Sequence, residues 1–134
     1  RQRSDMAFHR WISAALAADA VPVFGDGTSQ RDYTYVGDVV AAILASVELP
    51  SGTVANVAGG NVASINDVLG FIGDILGKSV AVERLPMPPG DPARTGGDTA
   101  LLRAAGWKPR WALRDGVAAE IEWLQQLLLK ETAP

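Results

Sequence analysis

Residues 21–40, VPVFGDGTSQRDYTYVGDVV, restrict the fold more than any other stretch of this chain. A short apolar run at Val23-Phe24 gives way to Gly25-Asp26-Gly27, a turn whose glycines tolerate positive φ. The alternating aromatic run Tyr33-Thr34-Tyr35-Val36 follows. A helical pattern then opens with Asp38 in its first turn, where a negative charge suits the helix dipole. Strand, turn, strand and helix in so short a space point to layered α/β structure and away from a helix bundle. Arg31 stands at the mouth of the turn, and two uses of it fit. A planar guanidinium beside a glycine-rich turn can fork onto a phosphate or diphosphate. The commoner arrangement is a β-hairpin whose arginine pairs with a surface carboxylate, and spacing alone favours it.

The remainder of the chain alternates in the same way. Ser4 or Asp5 is placed to cap a first helix running through Met6, Phe8, Ile12, Ala15 and Leu16. Val36, Val40, Ile43 and Val47 predict the buried stripe of a second helix, which Pro50-Ser51-Gly52 ends. Thr53–Val57 reads as a short β-branched strand that breaks at Gly59-Gly60. Ser64, with Asp67 three residues on, signals a third helix whose face is Ile65, Val68, Leu69, Ile72 and Leu76 and whose stop is Gly77. Ser79–Leu85 alternates as a strand, and the prolines between Pro86 and Pro92 enforce an irregular loop. Asp98 caps a short helix ending at Gly106, and a last helix spans Leu113 to Lys130 on a stripe of Val117, Ile121, Leu124 and Leu128. The predicted fold class is α/β, a mixed α+β layer, in a single domain over residues 1–134 with no repeat and no internal linker.

Composition narrows the function. Twelve Lys and Arg against fifteen Asp and Glu give a net charge of −3 with no basic tract, so nucleic-acid and membrane-surface binding lack electrostatic support. There is no cysteine, which excludes disulfides, thiolate metal sites and a cysteine nucleophile. No apolar run is long enough to span a bilayer. A cytoplasmic location is compatible with this composition. His9, the one histidine, has no partner in sequence for a metal site or a nucleophilic triad. Gly70, Gly73 and Gly77 have the wrong spacing for a dinucleotide fingerprint and lie inside a helical pattern, so helix packing and a C-cap explain them better. Neither Tyr33 nor Tyr35 is followed four residues later by lysine, so no Tyr-x-x-x-Lys pair is present. Asp32 and Asp38 form a possible carboxylate pair, for which a helix-start role of Asp38 is the simpler explanation. No catalytic or metal-binding residue is assigned. What remains is a binding set of Arg3, Phe24, Arg31 and Asp91: an apolar slot for a base, an arginine for phosphate and a carboxylate for ribose hydroxyls.

Five blocks, RQRSDMAFHRWI, VPVFGDGTSQRDYTYVGDVVAAI, TVANVAGG, PPGDPARTGGDTALLRAAGWKP and LRDGVAAEIEWL, resemble in order the C-terminal part of extended short-chain dehydrogenase/reductases. More narrowly they are similar to NAD-dependent nucleotide-sugar epimerases and dehydratases, and the opening resembles bacterial UDP-glucuronate and UDP-glucose 4-epimerases. The resemblance implies a substrate-binding portion without the N-terminal Rossmann core, which in such enzymes holds NAD and the Tyr-x-x-x-Lys pair. It implies that Arg31 binds the diphosphate and Asp91 the ribose. Ala7 and Phe8 would meet uracil through backbone groups, Pro22 and Phe24 would form the other wall of the base pocket, and Arg3 would lie at the floor of the sugar site. The implied reaction is 4-epimerisation by transient oxidation at C4, with a dehydratase, decarboxylase or reductase on the same fold as the neighbouring alternative and a non-catalytic binding module as the distant one. The implied ligand is a UDP-sugar or another NDP-sugar, and the segment alone is expected to be inactive.

Three positions depart from the family pattern. Gly37 replaces an aspartate in Tyr-Val-Asp-Asp, Pro88 replaces a second phosphate-binding arginine before Pro-Gly-Asp, and Gly96-Gly97 replaces an aromatic-Ala pair, which is expected to loosen that loop. The change at Pro88 tilts the reading towards UDP-glucuronate epimerases. The chain opens at Arg1-Gln2-Arg3 without an initiator methionine, as expected after removal of a leader or in a piece of a longer protein. A missing Rossmann half would leave apolar surface along the first or second helix, hence an expectation of self-association, with a homodimer partner or the other half as its cover.

Overall fold

The computed structural model describes residues 2–131, so Arg1 of the opening Arg-Gln-Arg run lies outside the described residues. Among the described residues five α-helices and four strands follow one another: α1 (Ala7–Ala17), β1 (Val21–Phe24), β2 (Gln30–Tyr33), α2 (Val36–Ala45), β3 (Asn61–Ser64), α3 (Ile65–Leu76), β4 (Val82–Leu85), α4 (Ala100–Ala104) and α5 (Leu113–Glu131). A single 3₁₀ turn, Ser46–Glu48, follows α2. The mixed α/β class follows directly from this order. No helix among the described residues is long and apolar enough to cross a membrane.

The strands form two separate pairs. β1 runs parallel to β4, with Val21 opposite Val82 and Phe24 opposite Leu85. β2 runs antiparallel to β3, with Gln30 opposite Ser64 and Tyr33 opposite Asn61. The hairpin expected from residues 21–36 is therefore absent: β1 and β2 belong to different sheets, and the Gly25–Ser29 turn carries the chain from one to the other. β2 also ends earlier than the alternation implied, because Tyr35 already serves as the N-cap residue of α2.

Apolar faces of α1, β1, α3 and α5 close the main core around Trp11, Ile12, Val21, Val23, Val68, Ile72, Val117 and Ile121. Burying such side chains is worth about 1.5–3 kcal/mol each, so this cluster holds both strand pairs in place. The capping box of α3 forms as the sequence indicates: Ser64 Oγ accepts from Asp67 N at 3.1 Å, and Ser64 N donates to the Asp67 carboxylate at 2.8 Å. The Ser64 hydroxyl, at 2.6 Å, and then this backbone bond hold the Asp67 carboxyl below its ordinary range. Gly77 ends α3 at φ +65°. The α5 stripe is buried through Val117, Ile121 and Leu124, whereas Leu128 is exposed.

Several expectations fail. Neither Ser4 nor Asp5 caps α1, whose N-cap position is Met6 without a side-chain bond. The β-branched run Thr53–Val57 forms no strand, since a strand needs a partner and none is beside it. The stripe of α2 is inverted: Val40, Ile43 and Val47 are 52%, 60% and 78% exposed, while the buried residues of the helix are Asp38 and Ala42. Ala42 joins Leu102 and Trp107 in a small second core. Asp38 is more than a helix-start charge. Its carboxylate accepts from the backbone N–H of Arg110 at 2.9 Å and of Trp111 at 3.2 Å. Its carbonyl accepts from Trp107 Nε1 at 3.0 Å, so one buried residue ties α2 to the 107–111 segment. Of the Gly96-Gly97 pair expected to loosen its loop, Gly97 is packed closely, with a Cβ there 3.3 Å from Ala58 Cβ and 3.4 Å from Asn56 Cβ, whereas a Cβ at Gly96 would meet nothing within 4 Å.

Candidate functional site

Arg31 lies mid-strand in β2, and its side chain is fixed by three acceptors. Nη1 donates to the Gln30 carbonyl at 2.8 Å and the Pro92 carbonyl at 2.7 Å, while Nη2 donates to Asp91 Oδ1 at 2.7 Å. A guanidinium carries five N–H donors, so Nε–H and one Nη2–H are left for an incoming acceptor. Both side chains are partly exposed, at 24% and 36%, so the pair is open to solvent and to a ligand. The surface-carboxylate partner that spacing favoured for Arg31 is thus real, and it is Asp91, the other residue singled out for a nucleotide.

The 86–95 loop reaches Arg31 because it docks along the start of β2. Gln30 N donates to the Ala93 carbonyl at 2.8 Å and Thr95 N to the Gln30 carbonyl at 3.1 Å, a strand-like pairing at Gln30 and Arg94. Asp32 N donates to Thr95 Oγ1 at 3.3 Å. The prolines that forbid regular structure leave the loop free to follow this edge. Gly90, at φ +82°, makes the turn that presents Asp91.

Phe24 ends β1 in partial exposure, and Pro22 lies two residues before it on the same strand. The loop meets this end too: Gly25 N donates to the Leu85 carbonyl at 2.8 Å, and the Met87 side chain lies against Gly25. Phe8 is tied to the Arg31 strand by an edge-on contact with Tyr33, with ring centroids 5.0 Å apart, and it also meets Trp11. Burial of Tyr33 pushes its hydroxyl above the ordinary value of 10.0, and the neighbouring Arg31 charge opposes this. Ala7 is exposed on the first turn of α1, beside Phe8. Arg3 stands apart: it is exposed and engaged with Asp5 Oδ2 at 3.1 Å and Met6 Sδ at 3.6 Å. The structure thus joins Arg31 to Asp91, and Phe8 to their strand, and leaves Arg3 outside that network among the described residues.

Two depressions flank this framework. A cavity of about 460 Å³ lies behind β2, walled by Phe8, Tyr33, Tyr35, Trp111 and Trp123, with Asp32 at its edge. Tyr35 and Trp111 stack at 4.0 Å, and Gly37 and Gly116 leave room for the Tyr35 ring. A shallow groove follows α3 past Gly70, Gly73 and Gly77. These glycines lie in or at the end of a helix, so they form no phosphate-cradling loop.

Comparison with known proteins gives this framework a context. Residues 1–58 match the NAD-dependent epimerase/dehydratase family. Over 130 residues, 95% of the chain, the sequence is 35% identical to the uncharacterized UDP-glucose epimerase YtcB of Bacillus subtilis (strain 168) and covers 41% of it. The chain is thus similar to proteins of the NAD-dependent epimerase/dehydratase family, over residues 1–58 in the family match and along most of its length in this relative. The fold agrees. The crystal structure of UDP-glucuronic acid 4-epimerase from Bacillus cereus in complex with UDP-glucuronic acid and NAD superposes with a TM-score of 0.89 at 37% identity, over 95% of this chain and 42% of that one. The UDP-glucuronate 4-epimerase of Thermodesulfobacterium geofontis is 28% identical over 126 residues, 92% of this chain and 39% of that protein. The chain therefore spans about two fifths of the length of the relatives it matches. Its architecture is that of the C-terminal portion of an extended short-chain dehydrogenase/reductase.

Sequence reasoning missed the supports of the site. The Pro92 carbonyl, Thr95, Asn66 and Arg84 carry no distinctive spacing, and most of their partners lie far off in sequence. Asn66 Nδ2 donates to the Asp26 carbonyl at 3.0 Å, and Arg84 Nη2 donates to Asn66 Oδ1 at 3.1 Å. The one local signal was Asp26-Gly27-Thr28, where Asp26 Oδ1 accepts from Thr28 N at 2.9 Å and Thr28 Oγ1 at 2.6 Å. The Thr28 hydroxyl bond, then its N–H, keeps the Asp26 carboxyl below its usual range.

Proposed function

We propose that this chain is the nucleotide-diphosphate-binding portion of an NAD-dependent nucleotide-sugar 4-epimerase. The observation that carries the reading is the Arg31–Asp91 pair, which puts a restrained guanidinium with spare donors beside a carboxylate at an open loop edge. Arg31 holds the diphosphate and Asp91 meets ribose hydroxyls. Phe24 and Pro22 from β1 and Ala7-Phe8 from α1 flank the base. Such holding fixes the ligand about its diphosphate and leaves the sugar free to be presented to catalytic groups, the binding half of a reaction whose rate depends on orientation.

The reading draws on relatives described as UDP-glucuronate 4-epimerases and on a solved relative holding UDP-glucuronic acid and NAD. Pro88, in place of a second arginine, favours the UDP-glucuronate type. Gly70, Gly73 and Gly77 offer no dinucleotide loop, because they lie in or at the end of α3; NAD would be held mainly by an N-terminal Rossmann half. No step of the chemistry is assigned to this chain, and alone it should not epimerise a UDP-sugar. Its exposed α2 face is the surface that takes up the rest of such an enzyme or a second copy. Arg3, paired with Asp5 at 3.1 Å, is assigned to the sugar end of the site by the resemblance alone.

Titration calorimetry with UDP and with uridine tests the reading. Loss of a charge-assisted hydrogen bond costs about 1.5–3 kcal/mol, so Arg31→Ala should weaken UDP binding roughly 10- to 150-fold and leave uridine binding nearly unchanged. Unchanged UDP affinity in Arg31→Ala refutes the assignment.

A further inference from the structure

We propose that Asn66 is a positioning residue that fixes the separation between the base wall on β1 and the diphosphate anchor on β2. The inference rests on the nucleotide-diphosphate reading above and extends it to a residue outside the ligand shell. Phe24 and Arg31 belong to different strand pairs, and the covalent link between those strands is the Gly25–Ser29 turn. With the core beneath both pairs, whatever holds that turn helps to set how far apart the two halves of a nucleotide site stand.

Asn66 holds it from two atoms. Its backbone N–H donates to the Gly27 carbonyl at 3.1 Å, and its side-chain Nδ2 donates to the Asp26 carbonyl at 3.0 Å. Its remaining polar atom, Oδ1, accepts from Arg84 Nη2 at 3.1 Å. Arg84 is on β4 opposite Val23 of β1, and Asn66 is the second residue of α3, two positions past Ser64, which ends β3 opposite Gln30 of β2. One side chain thus links the β1–β4 pair, the turn, and the end of the β2–β3 pair. Close packing supports the same conclusion. Gly27 sits at φ +77°, and a Cβ there would collide with Asn66 Oδ1 and lie 2.6 Å from Arg84 Nη1.

Asn66 is not needed to start α3, since Ser64 and Asp67 already complete a capping box. A role confined to the helix is therefore excluded. The other simple role is general stabilisation of a turn, and it makes a different prediction. Two weak subsites act together only if their spacing matches the ligand; when the spacing wanders, each subsite survives and the joint advantage falls.

The test is calorimetry of the full chain with UDP and with uridine, in wild type, Asn66→Ala and Asn66→Asp, with hydrogen exchange of the residue 26–29 amides. Asn66→Ala should cut the UDP-over-uridine affinity ratio about fivefold or more, leave uridine affinity within twofold, and speed exchange in the turn. Asn66→Asp keeps the acceptor for Arg84 and loses the donor to Asp26, so it should resemble Asn66→Ala; it also serves if the alanine variant folds poorly. An unchanged ratio, or an equal loss for both ligands, overturns the positioning role. A wild-type chain with no preference for UDP overturns the nucleotide-diphosphate reading itself, and this inference with it. Arg31→Ala distinguishes the two failures, because it abolishes the preference wherever the diphosphate assignment holds.

Discussion

Replacing Asp38 tests whether one buried carboxylate joins α2 to the 107–111 segment. The side chain is 1% exposed and accepts from two backbone N–H groups, those of Arg110 and Trp111. Asp38→Ala removes both acceptors and strands both donors in partly buried surroundings. Each hydrogen bond to a charged group is worth about 1.5–3 kcal/mol, so the expected loss is about 3–5 kcal/mol after some relief from the desolvated charge. For a domain of this size that is a fall in Tm of roughly 10–20 °C. Asp38→Asn keeps the shape and one oxygen but turns an amide N–H2 towards a donor, so it should cost about 2 kcal/mol. Urea unfolding followed by tryptophan fluorescence is the assay, because Trp107 and Trp111 sit at the joint. Should Asp38→Ala unfold within about 0.5 kcal/mol of wild type, the two N–H groups find other partners and the carboxylate is not what joins these segments.

Two further outcomes follow from the structure. Tyr33 is raised above 10.0 by burial, so the folded chain keeps a proton that the unfolded chain releases; its stabilising contribution is present below pH 10 and is lost as pH rises through the folded value. Alkaline unfolding curves should show this decline, and Tyr33→Phe should flatten it; equal slopes in both proteins would contradict the assignment. The apolar α2 face predicts self-association, so light scattering should give a mass above one chain for the wild type and a reduced mass for Val40→Lys combined with Ile43→Lys. A clean wild-type monomer with no partner counts against that surface.

What could be read from the sequence divides along the reach of each interaction. The α3 capping box, its Gly77 stop and the α5 stripe are local, and the structure contains all three, the stripe as far as Leu124. The α2 stripe was read correctly as apolar and wrongly as buried, because periodicity shows that a face is apolar and does not say what lies opposite it. Thr53–Val57 fails for the same reason: β-branched residues suit a sheet, and no neighbouring edge is offered to them here. Asp38 was undervalued because its partners are backbone N–H groups more than seventy positions away, which no motif records. The hairpin between β1 and β2 was a local guess defeated by long-range pairing, with β4 and β3 taking the two strands.

The Arg31–Asp91 pair raises a question of sign. A carboxylate 2.7 Å from the guanidinium would, by charge alone, compete with a diphosphate for the same cation. The hydrogen-bond count argues the other way. Both Nη1 donors are taken by the carbonyls of Gln30 and Pro92, and Asp91 takes one Nη2 donor, so the side chain is already held while Nε–H and the second Nη2–H stay open. An arginine free in solution loses about 2 kcal/mol of rotamer entropy when a ligand fixes it. Here that ordering is completed on folding, and the 86–95 loop is fastened to β2 by the same contacts. An exposed pair at a strand edge has little Coulomb energy to surrender, so the ordering term outweighs the competition. On this accounting the carboxylate would assist a diphosphate bound as proposed, by holding the cation in place for it.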